Sequence, residues 1–305
     1  MKYGMNLLLW TDTLKDELIP VLKQLKKIGY DGVELPIFEL DVAKFARWGK
    51  ILDDLGLGRT AVTVRGGDDN PIDPTAAVRA KGVENNKRTL DCCHAAGATI
   101  LVGPYHSAIG QFSGQGPTDD EFNWGVDSMR ATAEHAQQAG VMLGIEYLNR
   151  FETYLLTSVA QTVKFVKAVK HPYCRMMYDT FHANVEEKNI PDAIRAASKH
   201  MVHVHISEND RSTPGAGHVD WADTFDTLKE VGYDGWLMIE AFGLALPALV
   251  AATKIWRRMF KSEMQLAKDG LAFMQQEWGK RERKRPAGKK PAKKPVKKPA
   301  RRGNR

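Results

Sequence analysis

Short runs of apolar, β-favouring residues alternate along this chain with longer amphipathic stretches, the pattern expected of repeated strand–helix units on a parallel sheet. Eight such runs occur, at residues 5–9, 32–35, 60–64, 99–102, 142–146, 175–179, 202–206 and 236–240. Each is followed by a stretch of helical length: 16–28, 42–55, 77–95, 119–138, 158–169, 190–198, 221–231 and a long last one over about 246–276. Glycine closes several predicted helices just before the next strand, as in KKIGYDGVEL and KEVGYDGWLMIE, where its freedom to adopt the left-handed conformation suits a C-terminal cap. The GYDG repeat at 29–32 and 232–235 predicts two equivalent helix-to-strand turns. Eight units in roughly 250 residues match a closed single-domain (β/α)₈ barrel better than an open doubly wound sheet. The expected barrel covers residues 1–279.

Charge changes this picture only at one end. The chain of 305 residues has a formal net charge of +7. Residues 280–305 carry 14 Lys or Arg against the single acid Glu282, so the 30 basic and 36 acidic residues before them leave a net −6. That Lys/Pro/Ala-rich segment lacks apolar periodicity and repels itself, which predicts a disordered basic tail able to bind polyanions non-specifically. Cys92 and Cys93 are adjacent on a predicted helix, where neighbouring side chains diverge, so no disulfide framework with Cys174 is expected. No apolar run approaches the roughly 20 residues that span a bilayer, and the N-terminus lacks an export-signal pattern. A cytoplasmic protein without membrane attachment is the expectation.

The candidate chemistry sits at the ends of strands five to eight. In a (β/α)₈ barrel the active site lies at the C-terminal ends of the strands. GIEYLNRFE ends in Glu146, MMYDTFH in Asp179, HVHISENDR in His205 and LMIEAF in Glu240. Their spacings of 33, 26 and 35 residues each equal about one strand–helix unit, which sets them side by side around half the barrel mouth. Taken singly, each acid reads as a local cap or ion pair, and His205 as a core histidine like His203 two residues earlier. Four in register read differently. Three converging carboxylates repel unless a cation joins them, and a set of two Glu, one Asp and one His suits one divalent ion such as Mn²⁺, Mg²⁺ or Co²⁺.

These residues lie within longer motifs: IEYLNRFETYL at 145–155, YDTFHANVEE at 178–187, HVHISENDRSTPGAGHVDW at 203–221 and GYDGWLMIEAF at 232–242. With DDNPIDPTAAVRAKG at 68–82, they resemble the ketose 3-epimerases acting on D-tagatose, D-psicose or L-ribulose, within the xylose-isomerase-like barrels. The resemblance covers nearly all of residues 1–279. It implies that Glu146, Asp179, His205 and Glu240 hold the metal and that Glu146 and Glu240 are the acid/base pair for epimerisation at C3 of a free ketose. It also implies that Glu152, His182 and Arg211 bind substrate, and that the chain forms a homodimer or homotetramer. The expected apolar surface for pairing is Ile255, Trp256, Met259 and Phe260 on the long last helix.

The chain departs from the family pattern after Phe242, where GLALPALVAATKIWRR replaces a longer polar segment, and in its basic tail. In the loop after strand four, Tyr105, His106 and Phe112 are expected to shape the distal end of a sugar pocket. An aldose–ketose or hydroxypyruvate-type isomerase would use the same site, returning the proton to the neighbouring carbon. An apurinic DNA endonuclease would suit the tail. It would, however, need a multinuclear zinc site, and the early strands end without histidine, Glu34 being the only obvious acid there. A non-catalytic sugar binder would not need both Glu146 and Glu240.

Overall fold

A computed structural model describes residues 1–280. The elements follow the order β1 (Lys2–Asn6), α1 (Ile19–Ile28), β2 (Gly32–Pro36), α2 (Val42–Asp54), β3 (Gly58–Val62), α3 (Ala76–Ala96), β4 (Ile100–Gly103), α4 (Asp119–Ala139) and β5 (Met142–Ile145). They continue with α5 (Val159–Val169), β6 (Cys174–Asp179), α6 (Thr180–Glu186), α7 (Ile190–Ala197), β7 (Met201–Ile206), α8 (Trp221–Glu230), β8 (Trp236–Ile239), α9 (Pro247–Thr253) and α10 (Glu263–Gly279). The eight strands are parallel and close into a barrel in chain order, β8 pairing β1.

The narrow end of the barrel is closed by a size match. Gly4, Gly32 and Gly58 lie in register on three adjacent strands, and Trp236 of β8 fills the space they leave. A Cβ on Gly32 would stand 2.3 Å from the Gly58 carbonyl oxygen and 2.5 Å from the Trp236 ring. Above this tier the same strands place Asn6, Glu34 and Thr60 two residues on, and the period of two keeps them on the inner face. The two GYDG turns are equivalent: Gly29 and Gly232 adopt φ of 109° and 72°, each just past a helix end.

Three expectations change. The first run forms β1 only to Asn6; the Asn6 side chain accepts from Leu8 N and turns Leu7–Leu9 into a single 3₁₀ turn. The last helix is two helices. Lys254 leaves α9 in the left-handed conformation at φ 61°, and Ser262 caps α10 afresh by accepting from Gln265 N. Ile255, Trp256, Met259 and Phe260 therefore lie on the connection between them, with Ile255 buried and Trp256 exposed. A short helix unforeseen from the sequence, α6, starts directly at Asp179, whose Oδ1 accepts from Phe181 N at 2.6 Å.

Cys92, Cys93 and Cys174 are buried free thiols. No helix among the described residues is long and apolar enough to cross a membrane. The expected disordered tail at 280–305 falls, beyond Lys280, outside the described residues.

Candidate active site and metal centre

Strands β5 to β8 deliver Glu146, Asp179, His205 and Glu240 to one point. One donor atom from each lies within 4.8 Å of the others, and all four residues are buried. His205 Nδ1 is 3.6 Å from Asp179 Oδ2, 3.5 Å from Glu240 Oε1 and 4.0 Å from Glu146 Oε1. These separations are too long for hydrogen bonds and suit ligands sharing one small cation. His205 Nδ1 is fully buried without a hydrogen-bond partner, an omission that costs free energy unless something else occupies that lone pair. The donor set and the orphaned nitrogen together fit a divalent ion.

The electrostatics agree. Burial, reinforced by Glu240 and Asp179, pushes the Glu146 carboxyl well above the usual carboxylate range despite His205 and Arg211. Burial would also raise Asp179, but Arg211 above all holds it low. For His205 burial favours the neutral ring, yet Glu34 and Glu240 outweigh it and raise the pKa well above that of a free imidazole.

Arg211 lies beside this cluster. Its Nη1 donates to Glu240 Oε2 at 2.7 Å, Ser207 Oγ at 3.0 Å and Asp179 Oδ2 at 3.2 Å, while Nη2 meets His182 Nε2 at 3.0 Å. The guanidinium stacks 3.7 Å from the Phe181 ring centroid and 5.1 Å from that of Phe242. Its backbone is left-handed at φ 62°, a conformation costly for a side chain of this size and tolerated where surroundings enforce it. Glu208 is the enforcing residue: its carbonyl accepts from Arg211 N, and its buried carboxylate gathers Gly215 N, Val219 N and Trp221 Nε1.

His182, on α6, receives Asn149 N on Nδ1 at 2.9 Å and stands 3.8 Å from Glu146 Oε1. Burial, reinforced by Arg211, lowers its pKa to about 3, so the ring is neutral. The Glu152 carboxylate accepts from the Asn149 amide and lies 3.7 Å from His182 Nδ1; burial raises its pKa. The seven residues expected as metal ligands or substrate contacts thus converge, and five of them, with neither Asp179 nor His205, line a cavity of about 450 Å³ at the barrel mouth. Much of the remaining lining is hydrocarbon, including Leu8, Phe38, Val62, Leu148, Phe242 and Leu249 of α9, with Asp12 and Arg65 as its charged members.

Tyr105, His106 and Phe112 do not line it. Tyr105 is buried with its hydroxyl donating to Leu101 O, His106 Nε2 meets the Glu146 carbonyl at 2.9 Å, and Phe112 is half-exposed against Tyr154. Their loop contributes Pro104 and Ile109 instead. The sequence reading named Glu34 and His203 but gave neither a part in the site. Both are completely buried beneath the cluster, with Glu34 against both histidines. An acid two residues into an otherwise apolar strand was the available signal.

Residues 22–276 match the family model described as a xylose isomerase-like TIM barrel. The chain is 32% identical to the D-psicose 3-epimerase of Agrobacterium fabrum, over 84% of this chain and 90% of that one. It is 31% identical to the L-ribulose 3-epimerase of Mesorhizobium japonicum, over 90% and 93% of the two chains. A solved D-allulose 3-epimerase from Methylomonas sp., in complex with D-allulose, superposes with a TM-score of 0.85 at 26% identity, covering 91% of this chain and 97% of that one. Such relatives are epimerases, isomerase-class enzymes acting on carbohydrates. The barrel, the buried acidic cluster and identity along nearly the whole described chain agree: it belongs to the ketose 3-epimerases of the xylose isomerase-like TIM barrel family.

Proposed function

We propose that this protein interconverts free ketoses epimeric at C3, of the D-psicose/D-fructose, D-tagatose or L-ribulose type, using one divalent cation. The observation that carries the reading is the buried, unpartnered His205 Nδ1 facing three carboxylates. Glu146, Asp179, His205 and Glu240 would hold the ion, with Mn²⁺ preferred and Mg²⁺ or Co²⁺ as substitutes. A bound divalent cation supplies positive charge against the oxyanion that develops as C3 loses its proton.

The C2 carbonyl acidifies the C3 hydrogen of a ketose. One of Glu146 and Glu240 accepts that proton, the electron pair delocalises onto O2 as an ene-diolate, and the other carboxyl delivers a proton to the opposite face of C3. Inversion therefore requires two separate carboxyl groups, one for each face of C3. Arg211, stacked on Phe181 and Phe242, presents donors for the carbonyl end of the sugar, with neutral His182, whose Nδ1 accepts from Asn149 N, against it, and Glu152 an acceptor for a hydroxyl. The hydrocarbon part of the lining offers apolar surface to the sugar carbons. A homodimer or homotetramer remains our expectation, with exposed Trp256 available for pairing, and light scattering at micromolar concentration measures it.

The test is incubation of metal-free and Mn²⁺-loaded protein with D-fructose, D-tagatose, L-ribulose and hydroxypyruvate, followed by chromatography. C3-epimer formation dependent on Mn²⁺ is expected. Aldose formation, or an isomer of hydroxypyruvate, would replace epimerisation with isomerisation at the neighbouring carbon.

A further inference from the structure

Beneath the four converging residues lies a second polar layer. The Glu34 carboxylate, on β2, is completely buried and receives four groups from three other strands. Oε1 accepts from Asn6 Nδ2 at 2.9 Å and lies 2.7 Å from His205 Nε2; Oε2 accepts from Thr60 Oγ1 at 2.7 Å and lies 3.1 Å from His203 Nε2. A carboxylate offers about four lone-pair directions, and here Asn6, Thr60 and His205 meet three of them.

Two identities for this layer compete. Glu34, His203 and His205 lie close enough together to form a second cation site of their own. The Asn6 amide and Thr60 hydroxyl both direct hydrogens at the same two oxygens, and the Asn6 amide nitrogen cannot act as a ligand. An ion among these groups would have to displace donors already paired inside a sealed floor. Around Glu34 the layer is held by hydrogen bonds from Asn6, Thr60 and His205, with His203 Nε2 close by but outside hydrogen-bond geometry.

Its consequence falls on His205. An ionised carboxylate only accepts, so the ring nitrogen 2.7 Å from it must carry the proton. A neutral imidazole protonated at Nε2 has its bare lone pair at Nδ1, which is the atom turned toward Asp179, Glu240 and Glu146. We infer that Glu34 is a positioning residue for the cation: it fixes the His205 tautomer and ring angle from below, with Asn6 and Thr60 holding Glu34 itself. The inference rests on the proposed ligand role of His205. It also gives the barrel half outside the four ligand strands a part in the chemistry.

Partners of this kind typically change metal affinity by about 10–100-fold when removed. The test is Mn²⁺ titration of metal-free protein by calorimetry, for wild type, Glu34→Gln and Thr60→Val, with circular dichroism of each. Glu34→Gln keeps the shape and one acceptor but loses the charge; a Kd raised about 10–100-fold is expected, with turnover recovering as Mn²⁺ is raised. Recovery by excess metal separates positioning from a merely structural role, which added ion would not repair. Thr60→Val should raise the Kd a few-fold by loosening Oε2. Wild-type affinity in folded Glu34→Gln overturns the inference. If that variant does not fold, Thr60→Val decides: a raised Kd supports the inference and an unchanged one overturns it. Wild-type protein that binds no Mn²⁺ would instead overturn the ligand set on which the inference rests.

Discussion

The two halves of the barrel mouth are built from different chemistry. Strands β5 to β8 end in Glu146, Asp179, His205 and Glu240, with Arg211 and His182 above them. The loops after β1 to β4 offer mainly hydrocarbon, with Leu8, Val64, Pro104 and Ile109 among the wall residues and Asp12 and Arg65 as the charged exceptions. Two members of the charged half are tied twice: Asp179 caps α6 as well as facing His205, and Arg211 is both paired and stacked between rings. Charges are costly to bury and strengthen one another in low dielectric, so grouping them lets one cation satisfy several. The apolar half can then admit sugar carbons without hydrogen-bonding each hydroxyl. On this division, reaction and cation binding belong to one half and substrate fit to the other.

Substitutions on the charged side should have the largest effects. Glu146→Gln and Glu240→Gln should each lower kcat by about 10²–10⁴-fold, the usual contribution of a positioned acid or base, in proteins that remain folded. Full activity in both variants would remove the acid/base assignment.

Cation affinity should follow pH with a defined sign. Without the ion, Glu146 is raised well above an ordinary carboxyl and His205 well above a free imidazole, so both tend to hold protons that a cation must displace. Mn²⁺ binding should therefore tighten as pH rises from 6 to 8, by roughly tenfold per unit for each proton released. A flat titration profile would mean that neither group is protonated in the ion-free protein.

A change on the hydrocarbon side should act on fit. Phe38→Ala removes a partly exposed wall ring and should raise KM by a few-fold, about 1 kcal/mol or less of apolar contact, while leaving kcat near wild type. A loss confined to kcat would show that the wall shapes the reacting geometry and would dissolve the division. The smallest effect belongs to the basic segment. A chain ending at Gly279 should epimerise at the wild-type rate and lose any low-salt retention on DNA, since 14 basic residues go with it. Loss of activity with the barrel intact would make the segment part of the enzyme.

The same division explains what was legible in the sequence. Glu146, Asp179, His205 and Glu240 stand at strand ends one repeat apart, so periodicity alone places them together. Glu34, Asn6 and Thr60 sit mid-strand, where alternation fixes their inner face without revealing their partners; His203 looked like a core residue for that reason. The break between α9 and α10 was hidden because the intervening residues keep helical composition, and the left-handed Lys254 leaves no mark in residue type. Tyr105 and His106 were misassigned because burial beneath a loop and exposure to its pocket give the same aromatic signal. Helix ends fared better: Ser158 capping α5 and Gly29 closing α1 carry their conformation in their identity.

The central claim is proton exchange at one carbon of a ketose, and turnover in D₂O tests it most directly. Protein loaded with Mn²⁺ is incubated with a free ketose such as D-fructose, and the product is read by NMR. The account predicts the C3 epimer carrying deuterium at C3 and none at C1. Deuterium at C1 or C2, or an aldose product, would contradict it.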